Sequence, residues 1–170
     1  MRIKSLRRIV VVLVAVAVGA LGYVALRSSG QQAAPDVAYT LLDGRQATLA
    51  QLRDKVVLVN FWATSCVTCV KEMPQLVATH HKYAARGYET VAVAMSYAPP
   101  AYVANFASSR QLPFRVAIDA SGDIARSFGD VRLTPTTYLI DKRGRIVKRY
   151  VGEPDFAALH RLVEDLLAEA

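Results

Sequence analysis

The sequence predicts an α/β domain, a central mixed sheet flanked by helices with an N-terminal β-hairpin, preceded by one transmembrane helix. Three observations carry this reading. An uncharged, almost wholly apolar run of 18 residues occupies positions 9–26. Beyond it, short β-branched runs alternate with segments of helical periodicity. Polar turns at Asp43-Gly44 and at 141–144 mark hairpins at the two ends of that alternation.

At 1.5 Å per residue the apolar run spans about 27 Å, close to the thickness of a bilayer's hydrocarbon core. Arg2, Lys4, Arg7 and Arg8 precede it and Arg27 follows. The positive-inside bias therefore places the N-terminus in the cytoplasm and the remainder outside. The expected organisation is a cytoplasmic N-terminus and signal-anchor over 1–27, a tether over 28–35 and one domain over 36–170. A cleaved signal peptide is the competing reading, because Ala20-Leu21-Gly22 offers small residues after a shorter apolar core. A buried core helix would need a polar outward face, which the run lacks. The small polar stretch SSGQQAAP suits a tether.

The elements of the domain follow in order. Residues 38–42 and 45–49 flank Asp43-Gly44 as a hairpin with a two-residue turn. The run 55–61 (KVVLVNF) has the composition of a strand buried on both faces. A helix is expected over 67–86, kinked at Pro74 and closed by Gly87. A strand over 90–95, a helix from about 100 to before Pro113, a strand over 115–118 and a short helix over 123–128 come next. Strands over 136–140 and 145–151 then form a second hairpin. The final helix, 154–167, places Phe156, Leu159, Leu162, Val163 and Leu166 on one face, with Pro154 in its first turn.

Composition removes several function classes. With 53% apolar and 21% charged residues, the chain is neither disordered nor collagen-like, and two cysteines make no disulfide scaffold. The formal charge of +7 is concentrated in the first 27 residues, whose removal leaves 16 basic against 14 acidic side chains. A nucleic-acid partner is not expected, since phosphate neutralisation needs clustered Lys and Arg on the folded part.

Both cysteines lie in Cys66-Val67-Thr68-Cys69 at a strand-to-helix junction. A cysteine at a helix start faces free backbone N–H groups and the positive end of the helix dipole, which favour the thiolate. Cys66 is the expected nucleophile. Cys69, one turn later on the same face, can attack a mixed disulfide and resolve it. A purely stabilising disulfide is a poor alternative, because so short a loop constrains the unfolded chain little. A zinc site built with His80 and His81 is also poor, since adjacent helical residues diverge by about 100°. No metal is expected, and the two histidines read as solvated.

These residues carry a resemblance. Phe61-Trp62-Ala63-Thr64-Ser65-Cys66-Val67-Thr68-Cys69, followed by Glu72 and Pro74 and later by Thr134-Pro135-Thr136-Thr137-Tyr138-Leu139-Ile140-Asp141, resembles the thioredoxin-like proteins of the TlpA/ResA group. The resemblance covers essentially the whole exported domain, hairpin included. It implies a thioredoxin-like fold, an anchored extracytoplasmic location, and thiol–disulfide exchange with no cofactor beyond the Cys66–Cys69 pair. It also implies that Pro135 is a cis proline facing that pair, that the exposed backbone of Thr134 pairs with an extended substrate, and that Trp62 and Pro135 belong to the substrate surface. The implied partners are a protein disulfide substrate such as apocytochrome c and a membrane electron donor.

Glu72 follows Cys69 by three residues. A carboxylate there raises thiol pKa values by like-charge repulsion, and if buried can accept the proton of Cys69. Asn60 stands where thioredoxin itself has a buried aspartate, and a neutral amide cannot accept that proton. Two departures from the family pattern stand beside this: Ser65 replaces a common tryptophan, and Val67-Thr68 contains no proline. The pair also brings no positive charge, which favours a reductant over an oxidase. The basic run Lys142, Arg143, Arg145, Lys148 and Arg149 reads as a solvated edge that blocks strand pairing, or as a contact for an anionic surface.

The expected function is a membrane-anchored thiol–disulfide oxidoreductase that reduces protein disulfides on the periplasmic side of a bacterial cytoplasmic membrane. The alternatives are an oxidase on the same fold and a non-catalytic binding module. A peroxidase is disfavoured, because a peroxidatic cysteine needs a cationic pocket and this junction supplies Glu72 and no arginine nearby in sequence.

Overall fold

The computed structural model describes residues 32–169. The segment expected to span a membrane, 9–26, lies outside the described residues. Among the described residues no helix is long and apolar enough to cross one.

The chain forms β1 (Ala38–Thr40), β2 (Gln46–Thr48), β3 (Val56–Trp62), α1 (Val67–Tyr83), β4 (Tyr88–Ala94), α2 (Pro100–Ser109), β5 (Arg115–Ile118), α3 (Asp123–Ser127), β6 (Thr136–Ile140), β7 (Ile146–Val151) and α4 (Phe156–Ala168). A five-stranded mixed sheet has the order β5-β4-β3-β6-β7, with β3 at its centre. β3 runs parallel to β4 and antiparallel to β6.

All seven residues of β3 are buried, so the run lacks the alternation of a half-exposed strand. Its side chains divide by parity. Val56, Leu58 and Trp62 join Met73, Leu76 and Tyr83 of α1 and Leu159, Val163 and Leu166 of α4 in one core. Val57, Val59 and Phe61 join the hairpin residues Tyr39, Leu41 and Ala47 and the α3 residues Ile124 and Ala125 in the other. Asn60 shares the parity of Leu58 and Trp62 and therefore lies on the α1 side.

Several boundaries differ from expectation. The first hairpin closes through a three-residue loop: Leu41 N–H donates to the Arg45 carbonyl (2.8 Å), and of Asp43 and Gly44 only Gly44 has positive φ, +84°. A two-residue type I′ turn would need positive φ at both central residues. The hairpin then reaches the main sheet by a bridge from Leu41 to Ala117. α1 continues through Pro74, whose ring sits on the exposed face, and passes into a 3-10 turn, Ala84–Arg86, ended by Gly87 at φ +92°.

Pro154 lies outside the final helix, because Asp155 takes the capping position and its carboxylate accepts from Ala157 N–H (2.9 Å) and Ala158 N–H (3.1 Å). The end of the expected tether is held by the domain, since Ala33 bridges to Arg145 and Ala34 N–H donates to Gly144 (2.9 Å). The basic run is only partly solvated. Arg145 pairs with buried Asp141 at 2.7 Å and Lys142 donates to the Leu167 carbonyl at 2.9 Å, whereas Lys148 and Arg149 are exposed on edge strand β7. His80 is also not solvated: it packs half-buried against Phe114 and Tyr88, and burial lowers its pKa, while His81 is exposed.

Leu58 is fully buried at the centre of β3. Leu58→Ala is expected to cost roughly 2–5 kcal/mol through lost burial and an unfilled cavity, lowering the urea midpoint with little change in slope.

Candidate active site

β3 ends at Trp62, and four residues later Cys66 caps α1 in an extended conformation. Its sulfur accepts a hydrogen bond from Cys69 N–H at 3.2 Å. One free helical donor is thus aimed at the sulfur, which is the arrangement that favours a thiolate after reduction. Cys66 and Cys69 are joined in a disulfide. Cys66 is half-buried and Cys69 is fully buried behind it, so only the first sulfur is accessible to a macromolecule.

The loop before β6 closes the site. The Thr134–Pro135 peptide bond is cis, and the Thr134 carbonyl oxygen lies 3.6 Å from Cys66 Sγ. Pro135 is buried and Thr134 half-buried. The hydroxyl of Tyr97, just beyond β4, is 3.1 Å from Thr134 Oγ1. Residues 66, 97 and 134, far apart in the chain, meet at the same end of the sheet because β3 and β4 are parallel and β6 enters beside them.

One turn along α1 from Cys69 lies a buried polar pair. Glu72 sits on the buried stripe of α1 with Cys69, Met73 and Leu76. Its Oε1 accepts from Asn60 Nδ2 at 2.9 Å, and the same amide nitrogen donates to Thr137 Oγ1 at 3.0 Å. Asn60 and Thr137 are direct cross-strand partners, which fixes the amide against the sheet. Glu72 Oε2, Asn60 Oδ1 and Trp62 Nε1 are buried with no partner among the described residues. Burial pushes the Glu72 carboxyl up to about 7, with the Asn60 hydrogen bond opposing that rise and the Glu153 carboxylate adding to it. A carboxyl poised there can take a proton near neutral pH.

The structure thus gathers Cys66, Cys69, Glu72, Thr134 and Pro135 around one site. It does not bring Trp62 to the substrate surface. Trp62 is fully buried, its ring packed on Phe106 with centroids 5.2 Å apart, and so it supports the wall of the site from inside. Three residues were not singled out from the sequence. Tyr97 and Tyr102 follow the carboxyl end of β4, the same sheet end as the cysteines, and that position in a parallel pair is the signal they carried. Glu153 arrives from the β7–α4 turn, salt-bridged to Lys71 at 3.0 Å.

A disulfide at a helix start, opposed by a cis-proline loop on this sheet, defines the thioredoxin-like class of thiol–disulfide oxidoreductases. The comparisons make the placement narrower. The chain matches the Redoxin family over residues 28–163 and belongs to it. It is similar to the thiol-disulfide oxidoreductase ResA of Bacillus thuringiensis subsp. konkukian, at 38% identity over 120 residues, covering 71% of this chain and 68% of that protein. ResA of Halalkalibacterium halodurans is 32% identical over 145 residues, covering 85% and 81%. Among solved structures, a thiol:disulfide interchange protein of the thioredoxin family from Chlorobium tepidum superposes with a TM-score of 0.74 at 27% identity, covering 81% of this chain and 97% of that one. The chain is a thiol–disulfide oxidoreductase of the TlpA/ResA kind, with Cys66 and Cys69 as its C-x-x-C pair.

The Glu72 carboxyl fixes a stability dependence on pH. Its folded pKa lies above its unfolded value of 4.5. Between the two the folded state keeps a proton that the unfolded state releases, so stability falls as pH rises through that window and levels off above about 7. Glu72→Gln should remove this fall, on the order of 3 kcal/mol between acid and mildly alkaline pH. Urea unfolding of the oxidised protein at several pH values measures it, and parallel curves for both proteins contradict the assignment.

Proposed function

We propose that the chain is a membrane-anchored, extracytoplasmic reductase of protein disulfides, acting through Cys66 as nucleophile and Cys69 as resolving thiol. The observation that carries the chemistry is the pairing of one accessible sulfur at a helix start with one buried sulfur beside a buried carboxyl. In the reduced protein the Cys66 thiolate attacks a substrate disulfide, whose second sulfur leaves as a thiolate. Cys69 then loses its proton to Glu72 and attacks Cys66 Sγ. The Cys66–Cys69 disulfide forms, and the substrate's first sulfur departs. Two electrons pass to the substrate, which gains two thiols.

The uncharged Val67-Thr68 dipeptide supports the reducing direction, because it adds no cation to stabilise the reduced thiolate and so make the protein an oxidant. The apolar run at 9–26 with its four preceding cations supports anchoring, with the domain on the periplasmic side. Reduction outside the cytoplasm then calls for a membrane electron donor, and apocytochrome c is a substrate suggested by the resemblance to the TlpA/ResA group.

Cys69→Ser should trap a mixed disulfide with substrate, while Cys66→Ser should trap none and abolish exchange. Trapping by Cys66→Ser instead would invert the two roles. The potential of the pair, measured against glutathione, should lie nearer about −270 mV, the value for thioredoxin, than about −120 mV, the value for DsbA. A potential at the upper value makes the protein an oxidase. The full-length chain should fractionate with membranes with its N-terminus intact. A mature protein starting near Tyr23 would make it a released enzyme.

A further inference from the structure

Exposed apolar surface on this domain is concentrated beside the disulfide. Val67, 83% exposed, follows Cys66, and Leu133, 65% exposed, precedes Thr134. Tyr97 and Tyr102, at 55% and 66%, stand on the other side, where they share with Ser65, Asn105, Phe106 and Arg110 an open cleft of about 640 Å³. Exposed apolar side chains clustered in this way mark an interaction surface. The cleft adjoins the exchange site at two points: Ser65 is the neighbour of Cys66, and Tyr97 is hydrogen-bonded to Thr134, whose carbonyl touches the sulfur.

The lining specifies an occupant. Tyr97, Tyr102 and Phe106 present three aromatic rings, and Phe106 is braced from behind by Trp62. Arg110 carries the only formal charge in the lining, its guanidinium 5.8 Å from the centre of the Phe106 ring. No carboxylate pairs with it among the described residues. A volume of this size lies within the range of sites that hold several side-chain equivalents.

We infer that the Tyr97–Tyr102–Arg110 cleft is a specificity subsite for the polypeptide flanking the substrate's cysteine, taking an aromatic side chain against the two tyrosines and a neighbouring carboxylate on Arg110. This rests on the exchange chemistry at Cys66. Planar stacking and a charge-assisted hydrogen bond are the interactions those side chains supply.

The test uses the reduced full-length chain and three short peptides, each with one cysteine blocked as a mixed disulfide with 5-thio-2-nitrobenzoate. The first carries Phe and Asp beside the cysteine, the second Gly at both places and the third Phe and Lys. Attack by the Cys66 thiolate releases coloured thionitrobenzoate, and its rate in a single turnover gives the second-order rate constant for each peptide. The Phe/Asp peptide should react about tenfold faster on the native chain. Tyr102→Ala should bring the ratio to near unity, and Arg110→Glu should make the Phe/Lys peptide the preferred one. Equal rates for the first two peptides on the native chain overturn the subsite and leave exchange standing. No release from any peptide overturns the exchange chemistry itself. Sedimentation of the native chain as a dimer that Tyr102→Ala dissociates would assign the cleft to a second copy and overturn the inference.

Discussion

Everything at this site depends on the hydrogen bond between Asn60 and Glu72 inside the layer where β3 meets α1. A carboxyl in that layer is fully buried, and an ionised one costs several kcal/mol unless donors face it. Asn60 supplies one donor and, through its second proton to Thr137, ties the pair to β6. The result is a carboxyl near its midpoint at neutral pH rather than one locked in either state. An aspartate at 60 would set two carboxyls against each other, and an apolar residue would leave Glu72 with no partner at all.

This arrangement explains why the rest of the domain is built so rigidly around it. β3 is buried along its whole length, with one core on each face, so neither the amide nor the helix carrying Glu72 can shift without disturbing close-packed side chains. The same rigidity fixes the cysteines, because the cap of α1, Cys66, lies four residues beyond β3 and the helix's buried stripe contains both Cys69 and Glu72. The reactive sulfur is the one part of this assembly left at the surface. Cys69 is fully buried behind the half-buried Cys66, an arrangement that fits the order of thiols proposed above.

Much of the site was legible because its signals are local. The C-x-x-C spacing, the helix that must follow it, and the position of Glu72 one turn on are properties of adjacent residues. Glu72 was legible as a neighbour of Cys69 but not as a buried acid, since burial depends on β3 and β6 being beside α1. Asn60 was read as an amide unable to accept a proton, and the structure adds that it donates a hydrogen bond to Glu72. Trp62 was read as a contact surface from its place in the motif, yet strand parity points its ring inward toward Phe106. Tyr97, Tyr102 and Glu153 lie about 30 to 90 residues from the cysteines and carry no pairwise mark in the chain.

The sequence by itself determined the alternation of strands and helices, the central buried strand and the redox pair. Each follows from periodicity or from spacing within a single helical turn, which are enforced by backbone geometry alone. Only the tertiary structure decided the depth of Glu72, its partnership with Asn60, and the aromatic cleft beside Cys66. Those features arise where segments distant in the chain share one low-dielectric interior or one sheet edge, and neither desolvation nor a contact across the sheet is written into the neighbours of any single residue.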